Sequence, residues 1–247
     1  FEIDQKNILR LLTGHTLYND STVVLRELIQ NAIDAGRLQD ALEKEGSTYH
    51  SKVEISWNNL TRKLVIKDNA TGMDGHAIAN YLLRVGSSKY QSDEFKKRHP
   101  DFHSISRFGI GLLTCFMICD DVDVYTLDAK EKKCYLLKIR NLHGEYLMRE
   151  DADVSNILEQ KHGTTFELVV REDIDMSNIV SQIRHWILLP FSNVSLVVDD
   201  GQPISIGYKS TKDALESYVQ QLKGIELGTE FRVGTYKKEG EEMSCLL

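Results

Sequence analysis

The sequence predicts a two-layer α/β (α+β) fold in which helices cover one face of a mixed, mostly antiparallel sheet. Helix-period segments in both halves are interleaved with short alternating runs. Three of those runs follow one another without an intervening helix, as antiparallel neighbours do. The 247 residues, 41% hydrophobic and 27% charged, suffice for a sizeable core without disulfides or metals.

Apolar positions Ile3, Ile8, Leu9, Leu11 and Leu12 predict a short first helix. Asn19-Asp20-Ser21 offers an N-cap for a second helix over 22–35, with Leu25, Leu28, Ile29, Ala32 and Ile33 as its apolar stripe. Residues 52–57 and 63–67 alternate as two strands of a hairpin around Asn58-Asn59, followed by a loop over 68–72 and a helix over 75–85. Residues 86–107 are polar and irregular, the pattern of a functional lid or a disordered loop. A helix is expected over 109–119, then strands over 122–127, 134–139, 146–149 and 164–170, a helix over 177–188 and a strand over 194–198. Beyond Asp199-Asp200-Gly201 come a helix over 212–222 and a strand over 230–236, which resemble the start of a second unit. The expected division is therefore 1–203 and 204–247.

Composition narrows the function. Only 3 prolines and an ordinary 16 glycines exclude collagen-like and Pro-rich linker readings. A net charge of -7 argues against a surface given over to nucleic acid, although a local basic patch such as Lys96, Lys97 and Arg98 leaves DNA open as a partner. The longest apolar stretch falls short of the roughly 18 residues a membrane helix needs, and there is no signal-peptide pattern at the start. Cys115, Cys119, Cys134 and Cys245 show no C-x-x-C spacing, and Cys115 and Cys119 fit buried thiols on one helix face. A reducing, cytoplasmic setting is the expectation. The chain opens on Phe1 and stops at Leu247 without a closing signal, as a piece of a longer protein would.

Four motifs carry chemistry. On the helix over 22–35, Glu27, Asn31 and Asp34 stand at i, i+4 and i+7 along one polar line. A carboxylate can orient and deprotonate a water there, while a carboxamide oxygen one turn away can ligate a hard cation such as Mg²⁺; an ordinary solvated face would look the same. Asp68-Asn69-Ala70-Thr71-Gly72-Met73 follows a strand, so Asp68 could accept from an exocyclic amine and Gly72 admit a flat ring, or the segment could be a plain turn. Arg107-Phe108-Gly109-Ile110-Gly111 opens an apolar helix and would expose amides as an anion cradle, or bring glycines into close helix packing. Thr114 at the third glycine position and the polar loop before the motif reject a dinucleotide-binding Rossmann unit. Last, His162-Gly163-Thr164-Thr165 enters a strand, where a threonine hydroxyl could hold a water or a base edge.

Taken in order, E-x-x-x-N-A-x-D-A, D-x-x-x-G-M, a polar lid, G-x-G and a late G-T resemble the GHKL (Bergerat-fold) ATPase superfamily. That group holds gyrase-type topoisomerases, chaperones of the ninety-kilodalton heat-shock class, histidine kinases and MutL-type repair proteins. The similarity covers about residues 1–200. Residues 25–35, Gly86-Ser87-Ser88-Lys89 and Phe108-Gly109-Ile110-Gly111 look most like the N-terminal ATPase domain of the ninety-kilodalton chaperones.

The resemblance implies a Bergerat ATP-binding fold with a lid over about 86–107, ATP as substrate and Mg²⁺ as cofactor. It casts Glu27 as the base that activates water, Asn31 as the Mg²⁺ ligand, and Asp68 as the reader of the adenine amine. Gly72 and Met73 would wall the base, Thr164 would share a water with Asp68, and Asp34 would support the site. Gly86, Ser87, Ser88 and Lys89 belong to the lid edge, and Arg107, Phe108, Gly109, Ile110 and Gly111 to the phosphate turn. It further implies slow turnover by this piece alone, client proteins or partner domains, and a parent that dimerises with nucleotide. Three departures stand out: Ala70 for a first glycine, Arg107 for glutamine, and Leu112 and Leu113 for aromatic residues. The alternatives are a MutL- or MORC-like ATPase acting on DNA, a module that binds nucleotide without hydrolysis, and a histidine-kinase-type phosphotransferase, for which no helical His-bearing dimerisation segment is visible.

Overall fold

The computed structural model describes residues 21–84, 86–106, 109–140, 145–150, 162–222, 233–238 and 241–246. The first predicted helix, over 3–12, lies outside them.

Helix α1 spans Ser21–Leu42, seven residues past the predicted end. Gly36 does not stop it: a Cβ there would stand 2.0 Å from Ser51 Oγ, so the glycine admits a neighbouring hydroxyl against the helix. Beyond it, Leu38 and Gln39 remain buried and keep the last turns attached. Strands β1 (Lys52–Asn58) and β2 (Lys63–Asp68) form the predicted hairpin. Asn58 Oδ1 accepts from the amide and hydroxyl of Thr61, which tightens the connection.

The helix predicted over 75–85 is a single turn, α2 (Gly75–Ala77), that widens into a π-turn over Ile78–Leu82. Asp74 caps it, accepting from the Ala77 amide at 2.6 Å. The segment read as irregular holds a 3₁₀ turn (Lys89–Gln91) and a short helix α3 (Asp93–Arg98) capped by Ser92. What orders it is aromatic. Phe95 stands edge-on to Tyr90 and Phe102 with centroids 5.2 and 5.5 Å away, and Tyr90 stacks on Phe102 at 5.4 Å. The high polar content between these rings hid them from a composition reading.

The helix expected over 109–119 shortens to α4 (Gly111–Cys115). The amides of Phe116, Met117 and Ile118 bond three residues back, and the tightened turn delivers the chain into β3 (Cys119–Leu127). Cys115 and Cys119 are both buried as expected, but the second begins a strand. There follow β4 (Cys134–Arg140), β5 (Glu145–Glu150), β6 (Gly163–Val170), helix α5 (Ile179–Trp186) and β7 (Asn193–Val198). A three-residue edge strand β8 (Ile204–Ile206) and a terminal hairpin partner β10 (Glu241–Leu246) were too short or too polar to announce themselves. Between them lie α6 (Thr211–Leu222) and β9 (Val233–Lys238).

The main sheet has eight strands in the order β5-β4-β3-β6-β2-β1-β7-β8; β1 and β7 run parallel and every other pair antiparallel. This is the mixed, mostly antiparallel sheet with helices that the sequence predicts. The proposed division at 203/204 falls at the last edge strand, while β9 and β10 pair separately.

Alternate side chains of the strands point to the helices. Leu64 and Ile66 on β2, Phe166 and Leu168 on β6, and Val122 and Val124 on β3 share cross-strand rows. They meet Val24, Leu25, Leu28, Ile29 and Ile33 of α1 and Ile179 and Ile183 of α5 in one core. Among the described residues no helix is long and apolar enough to cross a membrane.

Candidate functional site

The apolar rows of the sheet end in a polar one. Asp68 follows Leu64 and Ile66 at spacing two, so it faces the helices; Thr164 and Thr126 stand in the same cross-strand row, Asp68↔Thr164↔Thr126. All three are buried. Asp68 Oδ1 accepts the amides of Ala70 at 2.9 Å and Thr164 at 3.2 Å. Among the described residues Oδ2 accepts no hydrogen bond. Burial pushes the Asp68 carboxyl up to about 7, with the two amides pulling the other way.

Asp68 and Thr164 of this row line an open cleft enclosing about 970 Å³ of empty space, mouth included, with Thr126 buried behind them. Helix α1 supplies one wall with Leu28, Asn31, Ala32 and Ala35 at i, i+3, i+4 and i+7. The loop after β2 gives Thr71, Gly72 and Met73. The 86–106 segment adds Ser87, Ser88, Lys89 and Tyr90, and the turn into α4 adds Gly109, Gly111 and Leu112.

Glycines make the close approaches possible. Gly72 has φ +64 and a Cβ there would meet the Leu127 carbonyl oxygen at 2.0 Å. Gly109, at φ +63, passes Ser87 so closely that a Cβ would stand 2.3 Å from its carbonyl oxygen, and the Gly86 amide donates to the Gly109 carbonyl at 3.0 Å. The two ends of the 86–106 segment are thus tied together at the cleft.

Of the residues singled out from sequence, Asn31, Asp68, Gly72, Met73, Ser87, Ser88, Lys89, Gly109, Gly111 and Thr164 line this one cavity. Glu27 is buried on α1 one turn before Asn31 but is not on the cleft wall; its carboxylate lies 3.6 Å from Arg26, whose guanidinium stacks over Trp186 at 5.1 Å. Gly86 and Ile110 flank the lining residues. Asp34 is fully buried away from the lining and anchors the 86–106 segment, accepting from the amides of Ile105 and Ser106 and from Arg37. Arg107 and Phe108 lie outside the described residues.

Thr126, Tyr90 and Arg37 were not anticipated. The alternation Val122, Val124, Thr126 places a hydroxyl on the core face and was the available signal for the first. Lys89 faces the cleft with its ammonium disfavoured by burial, an effect opposed by Asp74 and Asp128. Among the described residues no group of three or more His, Cys, Asp or Glu side chains gathers to hold a metal.

Comparison with known proteins identifies the family. The family described as "Histidine kinase-, DNA gyrase B-, and HSP90-like ATPase" matches residues 18–164. The chain is 34% identical over 182 residues to the chaperone protein HtpG of Buchnera aphidicola subsp. Cinara cedri, covering 68% of this chain and 28% of that protein. It is 28% identical over 173 residues to the HtpG of Sulfurimonas denitrificans, covering 67% and 26%. The same identity and length hold for the HtpG of Sulfurovum sp., covering 66% and 26%. The chain therefore spans about a quarter of the length of these curated relatives. With the family match running from the start of the first described helix to the floor of the cleft, the chain belongs to the histidine kinase-, DNA gyrase B- and HSP90-like ATPases.

Proposed function

We propose that the cleft binds ATP with Mg²⁺ and hydrolyses it slowly, and that closure of the 86–107 lid over the nucleotide switches the conformation of a chaperone-like parent protein. The observation that carries this reading is the convergence on one cleft of Asp68 and Thr164 from the sheet with Asn31 of α1 and Gly111 of α4.

In this proposal Asp68 Oδ2, left without a protein donor among the described residues, accepts from the adenine amine. Gly72 and Met73 flank the ring, and Thr164 completes the polar floor. The amides of the Gly109–Ile110–Gly111 turn and the Lys89 ammonium meet the phosphates, with Gly86, Ser87 and Ser88 at the lid edge; Arg107 and Phe108, which the resemblance assigns to the same turn, lie outside the described residues. The chemistry of Asn31 supports Mg²⁺ there: its carboxamide, whose nitrogen lies 2.6 Å from where a Gly111 Cβ would be, also carries an oxygen a hard cation can use, and among the described residues no cluster of His, Cys, Asp or Glu competes for the ion. Bound there with the nucleotide, the ion would neutralise developing phosphate charge. Glu27 orients and deprotonates the attacking water once its side chain leaves Arg26, and Asp34 holds the lid's far end to α1.

The three bacterial relatives are named as chaperones, which supports proposing protein clients, a cytoplasmic setting and a nucleotide-dependent dimer for the parent. The DNA-acting alternative would rest on Lys96, Lys97 and Arg98; these are exposed, and Arg98 already pairs with Glu94 at 2.6 Å.

The test is a titration with ATP and a non-hydrolysable analogue, with and without Mg²⁺, beside Asp68→Asn and Glu27→Ala. Asp68→Asn is expected to lose binding of both nucleotides, and Glu27→Ala to keep binding while phosphate release stops. Undiminished phosphate release from Glu27→Ala removes Glu27 as the base; unchanged binding by Asp68→Asn removes the adenine assignment.

A further inference from the structure

His162 opens the motif that carries Thr164, yet it does not line the cleft. Its place follows from the glycine after it. Gly163 passes the loop that follows β2 so closely that a Cβ would stand 2.0 Å from the Asp68 carbonyl oxygen and 3.0 Å from Asn69 Cα. The half-buried imidazole of the preceding residue then reaches the loop itself: His162 Nδ1 lies 2.6 Å from the carbonyl oxygen of Ala70. A carbonyl oxygen can only accept, so Nδ1 carries the proton and the tautomer is settled. The ring of Tyr49 stands 6.1 Å from the imidazole, and its hydroxyl donates to Asn69 Oδ1 at 3.4 Å.

Ala70 is fully buried and tied on both sides. Its amide donates to Asp68 Oδ1 at 2.9 Å and its carbonyl accepts from His162. The rest of the loop is held from other segments. Asn69 Oδ1 takes the Lys52 amide at 2.8 Å, the Thr71 carbonyl takes the Ala129 amide at 2.9 Å, and the Met73 amide gives to the Thr126 hydroxyl at 2.9 Å. Among the described residues no backbone amide reaches the Ala70 carbonyl, so this point of the loop depends on the imidazole. A buried carbonyl stripped of its donor is costly, and the chain relieves that by turning the group towards water. Turning it would shift the Ala70 amide that holds Asp68 and, on the other side, the start of the Thr71–Gly72–Met73 wall. Alanine at this place already has less backbone freedom than the glycine of related sequences.

We infer that His162 is a positioning residue for the nucleotide base: its Nδ1–H pins the Ala70 carbonyl and so fixes the loop over 69–73 that walls the cleft. The imidazole touches no ligand and acts only through Ala70. The inference rests on the ATP reading above and extends it to a side chain outside the cavity.

Isothermal titration of ATP with Mg²⁺ is run on the wild-type chain, His162→Leu and His162→Asn, at a temperature where urea unfolding shows each one folded. Leucine fills similar space without a donor; asparagine places a carboxamide nitrogen near the position of Nδ1. His162→Leu is expected to bind ATP about tenfold more weakly, the worth of one buried hydrogen bond, and His162→Asn to stay within about threefold of the wild type. Without nucleotide, amide exchange over 70–73 in His162→Leu is expected to quicken by more than exchange over β1. A role in stability alone would lower the unfolding midpoint of both variants without separating their affinities, and that result overturns the inference. So do wild-type affinity in His162→Leu, equal losses in the two variants, or unchanged exchange over 70–73. If His162→Leu does not fold, His162→Gln, whose amide lies one bond farther out, is compared with His162→Asn in its place. A wild type that binds ATP while the variants do not separate sinks this inference alone; a wild type that does not bind ATP removes the ATP reading, and the base-positioning role with it.

Discussion

Asn31 of α1 and Gly111 of α4 approach so closely that a Cβ on the glycine would stand 2.6 Å from the carboxamide nitrogen. The atom it would meet is the end of a side chain, so a methyl there displaces the carboxamide and leaves the backbone in place. Gly111→Ala is therefore expected to cost about 1 kcal/mol of stability or less while weakening Mg²⁺-dependent ATP binding about tenfold. Isothermal titration with and without Mg²⁺ checks this. Equal losses in the two conditions would mean that Gly111 does not act through Asn31.

Asp68 makes nucleotide binding sensitive to pH. Its carboxyl is pushed up to about 7 by burial, and acceptance from an amine requires the ionised form. ATP affinity is expected to fall as pH drops from 8 to 6, approaching tenfold per unit below the midpoint. Stability of the nucleotide-free protein runs the other way. The folded chain holds this proton above the ordinary 3.8, so it binds more protons than the unfolded chain, and stability declines as pH rises between about 4 and about 7. Asp68→Asn should flatten the stability slope, measured by urea unfolding at successive pH values. A slope that survives the substitution assigns it to another group.

What the sequence made legible and what it hid separate along physical lines. Local signals survived folding: the period of α1, the β1–β2 hairpin, the strand-end aspartate and the paired glycines are patterns of adjacent residues. The features missed depend on distant partners. Gly36 looks like a helix stop until Ser51 is seen against it. Tyr90, Phe95 and Phe102 look like isolated residues in a charged stretch until the rings meet. Thr126 was an ordinary strand residue until register set it beside Thr164. Its alternation with Val122 and Val124 was readable, but β6, which gives it meaning, lies well along the chain.

Gly163 holds the floor of the cleft in register. It sits at φ +133, and a Cβ there would stand 2.0 Å from the carbonyl oxygen of Asp68, a rigid backbone atom. Gly163→Ala must move either β6 or the end of β2, at a cost of about 3 kcal/mol or more. Because Thr164 and Asp68 face each other across this contact, ATP binding should weaken in the same variant even at temperatures where it stays folded. Urea unfolding gives the stability; a loss under 1 kcal/mol would show that the strands slide apart freely.

Asp34 should control how firmly the proposed lid is seated. Its carboxylate takes the Ile105 amide at 2.8 and 2.9 Å and the Ser106 amide at 2.7 Å, with Arg37 at 3.2 Å. Arg37 in turn donates to the His103 carbonyl at 2.7 Å and lies over the Phe102 ring at 5.2 Å. One buried acid thus fixes the segment's end directly through two amides and indirectly through an arginine that holds its aromatic cluster. Asp34→Asn replaces one acceptor oxygen by a carboxamide NH₂ that faces the same N–H donors, and removing such a buried acceptor costs about 2–3 kcal/mol. The loss should be local as well as global: amide exchange over 93–106 is expected to quicken by more than the exchange of β1 and β2, because those strands do not depend on this contact. Arg37→Ala should loosen the same residues to a smaller degree, since the two amides keep their acceptor. Exchange that rises uniformly across the sheet in Asp34→Asn, with no excess over 93–106, would make Asp34 a core residue and not an anchor of the lid.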